Sequence, residues 1–239
     1  MSAELRSRAE VEKLARCLGT EPDRLSALEV CTPKDLRKLR HQVGDHLLEA
    51  DRTPFARAAA ASSAVPAAIG ARLAEKALGP LLTARVAALV DEDKVMGIVR
   101  RLPDSFLADV AVELDPRHAR HVLLGIAPER MADAAAELDR RGEHVAMSGF
   151  VSYLTPEALS AVIDILSADA LLRVGFLLEA PERLNGIVAG LTDECLTEII
   201  ELANAEGRES ELDGIHEHLK PRQAQRLDRL RHGMAESTP

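Results

Sequence analysis

At 239 residues the chain is long enough to bury a sizeable core, in one domain or two. Tryptophan is absent and aromatics make up only 2%, which removes the side chains that stack on bases and anchor large interfaces. The net charge of -9 opposes a polyphosphate partner as well, so nucleic acid is excluded.

Taken from the N-terminus, MSAELRSRAEVEK lacks the apolar stretch of a secretory signal. Residues 1–50 carry dense, balanced charge around short apolar echoes, Pro22 with Leu25 and Leu28, then Pro33 with Leu36, Leu39 and Val43. They predict a small N-terminal helical subdomain. Residues 51–90 are rich in Ala and Gly, and predict a long Ala-rich helix capping the open end of the helical region downstream, because small side chains let helices approach closely. Their longest uncharged run, Ala58 to Ala71, is too short and too rich in Ala and Ser for an integral membrane segment. Cys17, Cys31 and Cys195 are odd in number and far apart. Without a CxxC pair or a paired-histidine motif they read as reduced thiols of a cytoplasmic protein, with no metal or other cofactor.

From residue 91 to 232 a unit of about twelve residues repeats. Counting from Pro116, apolar residues fall three, six and ten places on, at Ala119, Val122 and Ile126. Pro128, Pro156, Ala168, Pro181 and Asp193 open units with the same offsets, and Pro221 opens one more. At about 100° per residue these offsets make one narrow stripe on a helix. Proline suits a first helical turn, and Asp115, Thr155, Ser167 and Thr192 stand where an N-cap accepts the first free N–H groups. Helices this short are marginal alone, so each buries its stripe on its neighbours. The predicted fold is therefore all-α, an α-solenoid superhelix of short helical units, ending in a disordered tail at 233–239.

One unit is irregular. Pro128 to Pro156 spans 28 residues where two units need about 24, and the surplus lies in 139–154 with Gly142, Gly149, Phe150 and the sole tyrosine, Tyr153. It predicts either a longer helix at a bend, with Gly149 permitting close approach, or a binding surface formed by Glu143, His144, Met147, Phe150 and Tyr153 together with Arg173 and Phe176. Glu143 and His144 are the one candidate acid/base pair. The repeat region is also the acidic one: residues 92–207 hold 10 Lys/Arg against 21 Asp/Glu. Helix-start carboxylates such as Glu129, Glu157, Glu182 and Glu194 account for part of that through the helix dipole; the rest offers a face to a basic protein or a divalent cation.

The run LPDSFLADVAVELDPRHARHVLLGIAPERMADAAAEL resembles the helical-repeat N-terminal domain of MgtE-type magnesium transporters, and is similar to the short-helix repeats of the flagellar switch protein FliG. The likeness covers roughly residues 91–203. It implies a superhelical fold, a regulatory interaction role and a weak magnesium interaction; without a membrane segment the transport function does not carry over.

Catalytic motifs are missing: there is no phosphate loop, no GxGxxG after a strand and no HExxH, and Met147-Ser148-Gly149 is no nucleophile elbow. His118 and His121 stand three apart but away from the apolar stripe, without a third ligand. The expectation is a non-catalytic cytoplasmic module that binds a protein partner. The alternative is a carrier for an apolar small molecule or lipid, held between the Ala-rich helices and unit 139–154. The two differ in whether those apolar side chains close on one another or leave a cavity.

Overall fold

The structure is a computed structural model. It describes the backbone of residues 2–63 and 65–235, and the side chains of these except at 2, 50–59, 61–63 and 234–235. Every regular element among the described residues is helical and no strand occurs. The chain opens with α1 (Ser2–Leu18), a 3-10 segment (Pro22–Val30) and α2 (Pro33–Ser63). α2 runs unbroken through residue 50, where a subdomain boundary was expected. α1 packs on α2 and also reaches across to the middle and the C-terminal part of the chain, burying Val11, Leu14 and Ala15.

The Ala-rich stretch does not form one long helix. Pro66 caps α3 (Ala67–Leu73), which continues into a π-helical turn (Ala74–Leu78) before α4 (Gly79–Ala87). Gly79 takes φ +73°, a conformation that disfavours any side chain, and its N–H closes the wide turn on the Ala74 carbonyl. Small residues do give close contact here. A Cβ on Gly70 would stand 3.0 Å from Ile98, and one on Gly97 3.1 Å from the Ala67 Cβ. α3 thereby presses onto α5 (Glu92–Val99).

Short helices follow in quick succession: α6 (Asp104–Glu113), α7 (Arg120–Gly125), α8 (Pro128–Arg140), α9 (His144–Phe150), α10 (Pro156–Ile163), α11 (Ala168–Phe176), α12 (Leu184–Gly190), α13 (Asp193–Ala205), α14 (Glu209–His216) and α15 (Pro221–Ala235). Many pack on the helix two places along: α4 on α6, α6 on α8, α8 on α10, then α9 on α11, α11 on α13 and α13 on α15; α12 and α14 break the pattern, α14 packing on α11 and α13 and α12 on α15. Thr155, Ser167 and Thr192 cap their helices as expected, accepting from the N–H groups of Ala158, Ala170 and Cys195 at 3.1–3.2 Å. The corner residue before each cap and the fourth residue of the next helix are both apolar: Leu154 and Leu159, Leu166 and Leu171, Leu191 and Leu196. All six belong to one apolar cluster, the arrangement of a hydrophobic staple. The tenth-place residues Leu166 and Leu191 therefore serve the helices that follow them.

Two helix starts depart from the sequence pattern. Pro116 opens a turn, and α7 begins only at Arg120, because Asp115 does not cap a helix. Its carboxylate accepts the Arg117 N–H at 3.0 Å and the Arg117 guanidinium at 2.6 Å. Pro181 opens a 3-10 turn (Pro181–Arg183) ahead of α12. The tail expected from 233 begins inside α15, which continues to Ala235; residues 236–239 lie outside the described residues.

Guanidinium groups tie the units together. Arg226 donates to the Val188 and Leu191 carbonyls at 2.9 and 2.8 Å and to Asp193 at 2.6 Å. Arg183 donates to the carbonyls of Val151 (2.9 Å) and Leu154 (3.4 Å), and Arg130 to the Leu102 carbonyl and to Asp104. Leu102, Leu154 and Leu191 are the corner residues of earlier units, at or just beyond a helix end where carbonyls lack intrahelical partners and carry partial negative charge. The repeated tetrapeptide Ala-Pro-Glu-Arg, at 127–130 and 180–183, places two of these arginines.

Candidate functional site

Apolar stripes that pack in succession normally fuse into one core. Here many of the buried apolar residues fall into three clusters, around Leu172 and Ile200, around Val95 and Val122, and around Phe106 and Val110, the last two meeting at Leu107 and Leu114. Between them lies a cavity of about 210 Å³. Its wall draws on many helices: Leu73 of α3, Val86 of α4, Ile98 of α5, Leu107 of α6, Met131 and Ala134 of α8, Val174 of α11. Among the described residues, Thr83 and Arg130 are the only polar side chains on it. The Thr83 hydroxyl faces the Ala74 carbonyl at 3.5 Å and Arg130 is engaged by Leu102 and Asp104, so a water inside would find few partners. A dry apolar void of about 150 Å³ suffices to bind benzene.

The unit 139–154 borders this cavity through Met147, Phe150, Val151 and Leu154. It is not a longer helix: α8 stops at Arg140, Gly142 turns the chain with φ +72°, and α9 is a separate short helix followed by a 3-10 turn (Val151–Tyr153). Gly149 serves no unusually close approach, since a Cβ there would meet nothing nearer than 3.8 Å. Of the seven candidate site residues, Met147 and Phe150 line the cavity. The other five do not. Glu143 accepts from Arg16 of α1 at 2.6 Å. His144 is buried and pairs with Asp139 at 2.9 Å, so Glu143 and His144 have different partners and form no acid/base pair. Burial works against ionisation of Asp139, but hydrogen bonds from His144 and from the N–H and hydroxyl of Ser167 outweigh it and lower its pKa. Tyr153 sits in the field of Asp115 and Glu179, and burial with those carboxylates raises its pKa. Arg173 binds Asp169 at 2.9 Å on the surface. Phe176 is buried beneath Arg6, whose guanidinium lies 4.9 Å from the ring centroid.

The opposite side of α9 faces a charged seam with α1 and α2, which single-residue patterns did not reveal. Glu179, in the loop after α11, accepts from Lys13 and Arg40, each at 2.8 Å, while its carbonyl accepts from Arg37 at 2.7 Å. Glu10, 2% exposed, accepts from the same Arg37 and Arg40 at 3.1 and 3.3 Å. Burial opposes the charge of Glu179, yet Lys13, Arg40 and Arg37 hold its pKa down at about 2. Much of the repeat region's acidity is likewise used internally: Asp104, Asp109, Asp169 and Asp193 pair with Arg130, Arg141, Arg208 and Arg226.

His118 pairs with Asp45 and His121 lies 3.3 Å from the Val90 carbonyl, so the two do not converge. Among the described residues no group of three His, Cys, Asp or Glu side chains could hold a metal ion, and no helix is long and apolar enough to cross a membrane. In comparisons with known proteins, no family model, no curated protein and no solved structure matches this chain.

Proposed function

We propose that this protein binds an apolar small molecule or lipid chain in the cavity between α3–α4 and α9. The observation that carries the reading is the lining itself, apolar along almost all of its surface and drawn from all three apolar clusters. We infer further that α3 to α15 form a superhelix of short repeats, supported by the packing of α4, α6, α8, α9, α11 and α13 each on the second next helix and by the arginines that cross between units. In such a superhelix the stripes point toward a shared interior. A partner-protein role draws on acidic side chains, many of which are already engaged by arginines within the chain.

Native mass spectrometry of protein purified from its own host tests the proposal. A mass above that of the polypeptide, lost on extraction with organic solvent, is expected. The bare polypeptide mass, together with no rise in melting temperature on adding long-chain fatty acids or alcohols, would falsify it.

A further inference from the structure

We propose that the occupant of the cavity is a single unbranched aliphatic chain lying lengthwise along the stacked helices, and not a ring or other compact molecule. The inference rests on the apolar-ligand reading above and adds the shape class of the ligand. Every α-helix from α3 to α12 contributes to the lining, from Gly70 and Leu73 of α3 to Ile187 of α12. Yet the space measures only about 210 Å³. Gathered into one compact void, that volume would be narrower than a single interhelical spacing of about 8–10 Å, and could face only the few helices around it. A small volume touched by ten successive helices is long and thin.

The packing order gives its direction. α4 packs on α6, α6 on α8 and α8 on α10, and these four line the space in turn through Val86, Leu107, Met131 and Val162. A row of four packed helices extends over three spacings, roughly 24–30 Å. The two ends of the lining belong to different neighbourhoods, since α3 packs on α5 whereas α11 packs on α9, α13 and α14. A passage of that form admits a chain one carbon wide and turns away a ring, which needs its whole cross-section at one place. The wall holds no charge in reserve for a head group: Arg130 is engaged by the Leu102 carbonyl and Asp104, and the Thr83 hydroxyl faces the Ala74 carbonyl. Selection is therefore by width and length, and each methylene that finds wall contributes about fourfold in affinity until the space is full.

Equilibrium binding of straight-chain alcohols, hexanol through hexadecanol, to the full chain tests this, with adamantanol as the compact counterpart of decanol at equal carbon number. Affinity is expected to rise about fourfold per methylene from hexanol past decanol and then to stop rising. Relative to each compound's own transfer from water into hexadecane, which removes differences in hydrophobicity, decanol should bind about tenfold tighter than adamantanol, because forcing bulk into a narrow packed space is costly. Ala134→Phe, on α8 within the row, should move the stopping point to shorter alcohols; an equal loss at every length would show a compact void and overturn the inference. Should that variant misfold, the wild-type series decides by itself: a rise that ends at hexanol, or adamantanol bound as tightly as decanol on the hexadecane scale, overturns the extended passage. Adamantanol bound without decanol leaves the cavity reading standing and defeats only this one, whereas no binding of any of these compounds defeats both.

Discussion

The two sides of α9 differ in how completely they are satisfied. Toward α1 and α2, Glu143, Glu179 and Glu10 each meet cations at hydrogen-bond distance, and buried charges there have partners. Toward α8 and α11, Met147 and Phe150 look into space that no side chain fills. Buried charge without a partner costs several kcal/mol, so a polar seam must be completed by the protein itself. An apolar void forfeits only dispersion contacts and stays tolerable. The polar seam therefore holds the fold, and the apolar side keeps the capacity to take a ligand.

The largest expected effect comes from the seam. Glu179→Gln removes the nearer carboxylate of Lys13 and Arg40, leaving both cations to Glu10, and should destabilise by about 3 kcal/mol, or roughly 6–12 °C in melting temperature. The same group sets an acid limb. Because its folded pKa lies below its ordinary value of 4.5, its contribution is fully present above that value and is lost as pH falls toward 2. Thermal melts between pH 7 and 2.5 should show wild type losing stability through that window and the variant losing less; equal slopes would mean that Glu179 is not the group responsible.

Arg226→Ala removes three bonds to the α12–α13 corner and should cost about 2 kcal/mol in urea unfolding. A loss under half a kcal/mol would show that the arginine crossings decorate the repeat without holding it. Thr192→Ala deletes one cap and should cost about 1 kcal/mol. Ala134→Leu, on the cavity side, should act in the opposite direction. Filling void stabilises the empty protein by up to about 1 kcal/mol and weakens uptake of an apolar ligand. If it destabilises and ligand uptake is unchanged, Ala134 faces packed atoms and the contrast between the two sides collapses.

Several elements were legible in advance because their causes are local. Thr155, Ser167 and Thr192 cap helices through bonds three residues long, and Pro128 and Pro156 open helices because proline sacrifices no bond there. Pro116 and Pro181 carry the same signal and failed for different reasons. At Pro116, Asp115 found a nearer partner in Arg117, whereas a 3-10 turn intervenes at Pro181. The Ala-Pro-Glu-Arg repeat was visible and carried the arginine crossings, yet its target carbonyls lie 28 to 32 residues away. Within the candidate site, rarity marks both Phe150 and Tyr153, yet of these only Phe150 lines the cavity, beside Met147, and Phe176 of the later unit packs under Arg6 instead.

Taken alone, the order of residues determined that the described chain is helical, where most repeat helices begin and which stripe each turns inward, since a helix's face follows from its own periodicity and its start from its own cap. Whether those stripes meet or stand apart depended on distances between helices. These are set by contacts such as Gly70 on Ile98 and by charges such as Lys13 and Glu179, 166 positions apart. Only the tertiary structure decided that the stripes enclose a cavity, because a void is a property of how many surfaces fail to touch and no single segment encodes it.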